Sequence, residues 1–388
     1  MRGSGCFSAF LDGVWYNKNS ECTRKKECTY TNIHIQKKEC TYIQDNRIGQ
    51  KGCSMALLDR LIEKAKQNPK RIVLSECDSE RMLLAARTVL DSGIGFPVLV
   101  HDPAVINETA KMAGVDLTGM EIVDCTDPEA AEALVKEYYQ EYYPGAIKKH
   151  RTEQEYREEI RDPMAYAMML EAVGRADCSF QGHIHTTGDV LRSALRIIGL
   201  KEGITTASMS AFVETPGFDG PEGNVIVFAD CALNTEPDAD KLASIAIAAA
   251  DDVRSILQWE PRVAFLSFST DGSGSSASVE KMRAAVSLTH ELRPDIKADG
   301  EFQLDAAINP ETAAKKVKRP SEVAGKANIL IFPNLDAANI GIKLCQRFAG
   351  SLGIGHTISG FRKPVADSSR SASVEEMVGD MALIILAC

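Results

Sequence analysis

The chain has 388 residues, 44% apolar and 25% charged, with a formal net charge of −10. That length predicts two lobes rather than one small core, and the apolar share excludes disorder for most of the chain. The acidic balance excludes nucleic acid and an anionic membrane surface as partners. No apolar run reaches the roughly 18 to 20 residues of a spanning helix, and the first residues lack the apolar centre of a signal peptide, so a cytoplasmic protein is expected.

Charge is unevenly placed. Residues 1–54 carry nine Lys and Arg against five Asp and Glu, a local balance of +4 that leaves −14 for the remainder. The same stretch holds five of the eleven cysteines (Cys6, Cys22, Cys28, Cys40, Cys53) and repeats KKECTY at Lys25–Tyr30 and Lys37–Tyr42. None of its Cys and His spacings is that of a structural zinc site, and no periodicity links the two copies. Residues 1–54 are therefore read as a disordered tail, an upstream translated stretch or a cloning remnant. The six later cysteines are dispersed and read as free thiols of a reducing compartment.

A natural start follows at Met55. Leu57, Leu58, Leu61, Ile62 and Ala65 mark one helix face, which Pro69 ends, and Arg71–Leu74 begin a strand. Further strands are expected at Pro97–Val100, Glu121–Val123, Asn224–Phe228, Val263–Ser267 and Asn328–Phe332. Helices are expected at Glu80–Leu90, Pro128–Tyr142, Pro163–Val173, Ala239–Leu257, Val279–Leu292 and Ala338–Phe348. Short apolar runs alternating with amphipathic stretches specify an α/β protein with a largely parallel sheet flanked by helices, its functional loops at the carboxyl ends of the strands.

Three motifs can carry chemistry. His183-Ile-His185-Thr186-Thr-Gly-Asp-Val-Leu-Arg192 runs into a helix. It reads as a ligand-lining loop, a structural polar cluster or a His-x-His metal pair, with no nearby carboxylate or thiol to complete the last. Ser269-Thr-Asp-Gly-Ser273-Gly274-Ser-Ser-Ala277 follows a strand and could cradle a phosphate with backbone N–H groups. Its Gly272-x-Gly274-x-x-Ala277 also half-matches a dinucleotide fingerprint, but the strand ends four residues too early for the tight turn. A plain surface turn is the third reading.

The last motif is Asp367-Ser-Ser369-Arg370-Ser-Ala-Ser373-Val-Glu-Glu376. Arg370 offers a fork of donors for phosphoryl oxygens, Ser369 a hydroxyl for a reacting acyl oxygen, and Glu376 a base. Ser373-x-x-Glu376 equally reads as a capping box, which would explain both residues without catalysis.

Taken in order, HTTGDVLRSALRIIG, VIVFADCALN, PRVAFLSFSTDGSGS, ADGEFQLDAAINP, VAGKANILIFPNLDAANIGIKLCQRF and KPVADSSRSASVEEMV resemble the phosphate acetyltransferase family from Met55 to Cys388. The resemblance implies a two-domain α/β fold similar to isocitrate and isopropylmalate dehydrogenases. One domain would be residues 55–203 plus 356–388 and the other 204–355, with the active site in the cleft between them. It implies acetyl transfer between coenzyme A and phosphate in acetate metabolism, by direct thiolate attack within a ternary complex. Coenzyme A is then a substrate, with no metal, no tightly bound cofactor, and a homodimer as the assembly.

Residue by residue, the resemblance makes Ser369 the transition-state serine and Arg370 the acetyl phosphate ligand. Glu376 becomes the base, with Asp367 as its alternative. Arg81, Arg192, Arg347 and Lys148 become binding residues, and the two loops read above add His185, Thr186, Ser273 and Gly274 as further binding candidates. Four positions depart from the family pattern: Glu376 stands for an aspartate, Lys148 for an arginine, and Ser371-Ala372 for Gly-Cys. An ordinary thiol and an ordinary glutamate differ by about four pKa units, so the cleft must narrow that gap for a carboxylate to serve as base. Propionyl or butyryl transfer, a nicotinamide-dependent hydroxyacid dehydrogenase and a non-catalytic coenzyme A binder are the alternatives.

Overall fold

Eleven strands form one continuous sheet in a computed structural model that describes residues 56–147 and 151–388. The strands are β1 (Lys70–Leu74), β2 (Gly95–His101), β3 (Glu121–Asp124), β4 (Cys178–Gln181), β5 (Ser208–Glu214), β6 (Val225–Ala229), β7 (Arg262–Leu266), β8 (Lys297–Phe302), β9 (Ile329–Ile331), β10 (Leu352–Ser359) and β11 (Val365–Asp367). Their order is β3-β2-β1-β4-β11-β10-β5-β6-β9-β7-β8. The tail and Lys148 lie outside the described residues.

Two parallel blocks make up most of this sheet. One is β3-β2-β1-β4-β11 and the other β6-β9-β7-β8. Between them, β11 to β10, β10 to β5 and β5 to β6 are all antiparallel. Three successive reversals leave the blocks running in opposite senses. The loops that leave the carboxyl ends of β1, β4 and β11 therefore gather on one edge, and those of β7 and β9 on the other.

Helices begin where the chain supplies a cap. Asp102, Asp127 and Asp162 each accept a backbone N–H from the first turn of a helix whose first residue is a proline: Pro103–Ala113, Pro128–Glu137 and Pro163–Ala172. Proline at that position has no N–H to leave orphaned. The expected helices Pro128–Tyr142 and Ala239–Leu257 both form, each closing with a wider π turn, Tyr138–Tyr142 and Val253–Leu257.

The helix Leu57–Ala65 buries Leu57, Leu61 and Ala65, the expected face. It packs on the last helix, Val374–Leu386, which is buried continuously from Met377 to Ile385. Gly379 allows that approach, since a Cβ there would meet Leu58 Cδ1 at 2.8 Å. Because Val374–Leu386 also packs on β10 and on Glu80–Asp91, the end of the chain is tied into the same core as its first described helix.

One core residue is out of keeping with its surroundings. Glu171 lies on the wholly buried helix Pro163–Ala172 and is 0% exposed. Burial pushes its carboxyl well above the ordinary carboxylate range, against weaker opposing pulls from Ser179 and Lys363. A carboxyl raised in this way stabilises the fold below the unfolded value near 4.5, and that contribution is lost as pH rises toward its folded value. Glu171→Gln should therefore raise the unfolding temperature by on the order of 2 °C or more at pH 8. At pH 4.5 it should leave the temperature nearly unchanged, and thermal unfolding across that range with a flat difference would contradict the assignment.

Candidate active site

The site is assembled from the carboxyl ends of three neighbouring parallel strands, β1, β4 and β11. Two residues beyond β1, Glu76 is 1% exposed and accepts four consecutive backbone N–H groups. These come from Gly182 at 3.2 Å, His183 at 2.6 Å, Ile184 at 3.0 Å and His185 at 2.9 Å. His185 Nδ1 also lies 2.8 Å from Glu76 Oε1. Burial pushes the Glu76 carboxyl up, yet the donors around it outweigh burial and hold it below its ordinary value. The loop after β4 is thus wrapped around a buried anion.

Thr186 then caps the helix Thr187–Ile197 in a capping box with Asp189. Its neighbour Thr187 donates its hydroxyl to Asp367 Oδ2 at 2.5 Å, joining the loop after β4 to the end of β11. Asp367 is buried against Gly182, where a Cβ would lie 1.8 Å from Asp367 Oδ1 and where φ is +87°. Only glycine meets both demands. Ser368 N donates to Gln181 O at 2.7 Å, which completes the join.

Ser369 to Ala372 follow as a turn. Ser369 Oγ accepts the Ser371 N–H at 3.3 Å and lies 2.9 Å from Ser371 Oγ. Arg81, in the first turn of the helix Glu80–Asp91, donates from Nη1 to Ala372 O at 2.8 Å and from Nη2 to Arg370 O at 3.3 Å. Its guanidinium thus holds the backbone of the turn. Ser373 and Glu376 form the capping box read in the sequence: Glu376 Oε2 accepts Ser373 N–H at 2.8 Å, and Ser373 Oγ accepts Glu376 N–H at 3.2 Å.

A second wall comes from the antiparallel centre and the helix Leu335–Phe348. Asp230, just past β6 and 4% exposed, accepts N–H groups from Met209, Ala232, Leu233 and Asn234 at 2.8 to 3.2 Å. Met209 and Ala232 are so fixed facing the Ser369 turn. Between the walls lie two cavities. The larger, about 560 Å³, is lined by Leu58, Met209, Ile342, Lys343, Ile354, Ser369 and Glu376 among others. The smaller, about 300 Å³, is lined by His185, Thr187, Met209, Ala232, Asp367, Ser368, Ser369 and Arg370 with Gly182. Ser369, Met209 and Ala232 belong to both.

Other expected binding residues lie elsewhere. Arg192 is exposed on its helix and pairs with Asp189 at 2.7 Å. Arg347 is exposed on the last turn of Leu335–Phe348, one helical turn beyond the cleft-lining Lys343. The structure does not bring Ser273 and Gly274 to the Ser369 cavities. Their loop leaves β7, five strand positions from β11, or roughly 24 Å at ordinary strand spacing.

Nor is that loop an open phosphate cradle. The buried carboxylate of Glu301 occupies it, accepting Ser269 Oγ at 2.7 Å, Gly272 N–H at 3.0 Å and Arg283 Nε at 2.7 Å. Gly274 N–H is taken by Ser269 Oγ at 2.8 Å, and Ser273 Oγ accepts Thr270 N–H at 2.9 Å.

The family model described as phosphate acetyl/butaryl transferase matches residues 56–385. The chain belongs to that family. A phosphate acetyltransferase of Clostridium acetobutylicum is 40% identical over 334 residues, covering 86% of this chain and 98% of its own. One of Thermoanaerobacterium thermosaccharolyticum is 42% identical over 325 residues, covering 84% and 97%. Among solved structures, EutD phosphotransacetylase from Staphylococcus aureus has a TM-score of 0.75 at 32% identity, covering 85% of this chain and 98% of that one.

Sequence reasoning found the Ser369 turn of this phosphate acetyl/butaryl transferase family member but missed Glu76, Asp230, Thr187, Met209 and Lys343. The signal for the first two was an acid within two residues of a strand's end, in Leu74-Ser-Glu76 and Ala229-Asp230.

The Glu76–His185 pair makes the loop sensitive to pH. The hydrogen bond to Glu76 raises the pKa of His185 above 6.5, against its partial burial. A raised histidine contributes fully below its unfolded value near 6.5 and loses that contribution as pH climbs through its folded value. His185→Gln should therefore lower the unfolding temperature more at pH 6 than at pH 8.5. A gap that does not shrink with rising pH would show that the ring charge is not what Glu76 holds.

Proposed function

We propose that this protein is a phosphate acetyltransferase, moving an acetyl group reversibly between coenzyme A and inorganic phosphate. The observation that carries the reading is the place of Ser369 on the wall shared by the two cavities. Direct transfer needs two substrates to meet at one carbon, each entering from its own side, and a shared wall provides that meeting point.

On this reading, acetyl phosphate occupies the smaller cavity, where Arg370 supplies a permanent charge and a planar fork for the phosphoryl group. Coenzyme A extends along the larger cavity, whose apolar Leu58, Ile342 and Ile354 suit its aliphatic arm. Lys343, with Arg347 beyond it, suits its phosphates.

The thiol gives its proton to a carboxylate and the thiolate attacks the acetyl carbonyl. A sulfur–carbon bond forms, the carbon–oxygen bond to phosphate breaks, and phosphate leaves with the electron pair. Ser369 accepts the Ser371 N–H, and with the Ser371 hydroxyl donating to it across 2.9 Å its own proton is directed to the charge developing on the carbonyl oxygen. We assign the base to Glu376, because it lines the cavity on the thiol side while Asp367 lines the phosphate side and is held by Thr187. The chemistry written here balances without a metal or tightly bound cofactor.

Two wider features accompany this reading. We take residues 55–203 plus 356–388 as one domain and 204–355 as the other. The cleft draws Ser369, Ala372 and Glu376 from the first, and Met209, Ala232 and Ile342 from the second. We take the working assembly to be a homodimer in the cytoplasm. The exposed stripe Ile340, Leu344 and Phe348 on Leu335–Phe348 supports a second copy, and six free cysteines among the described residues support a reducing compartment.

Acetyl-CoA formation from acetyl phosphate and coenzyme A tests the activity. Ser369→Ala should lower kcat by about 100-fold or more. Glu376→Gln should cost a similar factor and flatten the pH dependence of the rate, whereas Asp367→Asn should act mainly on the KM for acetyl phosphate. Folded protein with no turnover on any short acyl phosphate, or full activity in Ser369→Ala, would overturn the reading. Because the family match begins at residue 56, removal of residues 1–54 should leave kcat within about twofold.

A further inference from the structure

We propose that Met209 limits the length of the acyl group this site accepts, a reading that rests on the acyltransferase assignment above. If phosphate enters from the smaller cavity and the thiol from the larger, the carbon being transferred must sit at the wall the two share. Among the described residues three side chains belong to both cavities: Ser369, Ala232 and Met209. Ser369 is the hydroxyl proposed to face the carbonyl oxygen, and Ala232 has a single methyl to offer. Of these three Met209 is the large apolar group at the meeting point, so the alkyl end of the acyl group packs against it.

The position of Met209 is fixed rather than adaptable along the backbone. It lies at the start of β5, opposite Ile358 of β10, and is 3% exposed. Its N–H donates to the buried carboxylate of Asp230 at 3.1 Å, and its carbonyl accepts the Cys231 N–H at 3.1 Å and the Cys231 thiol at 3.2 Å. The main chain cannot retreat from a longer substrate, and only the side chain can yield. Methionine is flexible enough to shape itself around a short acyl group, yet it cannot vanish. Replacing it with alanine deletes three non-hydrogen atoms, enough space for the two carbons that butyryl adds to acetyl.

The experiment compares kcat/KM for acetyl, propionyl and butyryl phosphate with coenzyme A, in wild-type protein and in Met209→Ala and Met209→Leu. Each methylene in such a pocket is worth roughly 10-fold or more in discrimination. Wild type should favour acetyl phosphate, and Met209→Ala should raise the butyryl-to-acetyl ratio by about 10-fold to 100-fold. Met209→Leu, which nearly conserves volume, should keep the wild-type ratio. Should Met209→Ala not fold, Met209→Val should move the ratio in the same direction by a smaller factor.

An unchanged ratio in a folded, active Met209→Ala or Met209→Val would overturn the inference while leaving the acetyltransferase reading intact. Wild-type preference for butyryl phosphate would overturn it too. Wild-type protein with no activity on any of the three would sink the activity itself, and with it the role of Met209.

Discussion

The site depends on one buried negative charge. Glu76 collects four successive N–H groups from Gly182 to His185 and the ring of His185. A carboxylate taken out of water and left unpaired would cost several kcal/mol, and four unpaired N–H groups would cost as much again. Each solves the other's problem. The loop after β4 is therefore fixed with the rigidity of a helix cap although it has no regular structure. It in turn places Thr187 against Asp367, and hence the Ser369 turn.

The same solution recurs at Asp230 and Glu301. Asp230 gathers the loop after β6 and the start of β5, and Glu301 fills the glycine-rich loop after β7. At the carboxyl end of a parallel strand the backbone turns through several N–H groups that point the same way, and such a nest attracts an anion. In this chain the anions at three of these nests are its own side chains. Phosphate recognition then falls to side-chain donors, and the one fork proposed for it, Arg370, stands on a turn whose backbone Arg81 clamps from below. A second arginine used as a brace explains how an acidic protein keeps an arginine turn open to anions without collapsing it onto a neighbouring carboxylate.

How much of this was legible in the sequence follows from what each element is made of. Strands β1, β2, β6, β7 and β9 are short apolar runs bounded by turn residues, and their apolar pattern alone marked them. Strands β4, β5 and β8 escaped, because Ser179, Gln181, Ser208, Ser210, Asp299 and Glu301 are polar and yet buried. For Gln181 and Asp299 that burial is tolerated by Ser75 and Arg319, partners that no local window contains. The helix Pro103–Ala113 was missed although Asp102-Pro103 carries the same cap as the helices at Pro128 and Pro163. In the site, Ser369 and Arg370 were visible because the motif is contiguous. Glu76 was not, since the N–H groups it serves lie 106 to 109 residues further on. The glycine-rich loop misled because a nest looks alike in sequence whether its anion is a ligand or Glu301.

The capping box at Ser373 and Glu376 bears on the base proposed for the reaction as well as on helix stability. One carboxylate oxygen of Glu376 is engaged by the Ser373 N–H, so the carboxylate is held at the mouth of the larger cavity rather than free to swing. A base anchored at one oxygen can still take a proton on the other, and its anchoring lowers the entropy lost when the thiol arrives. Capping and proton transfer are therefore compatible roles for a single glutamate. Asp189 closes the same kind of box with Thr186, so the cap does not itself call for glutamate, and the added methylene bears instead on where the second oxygen stands relative to the thiol.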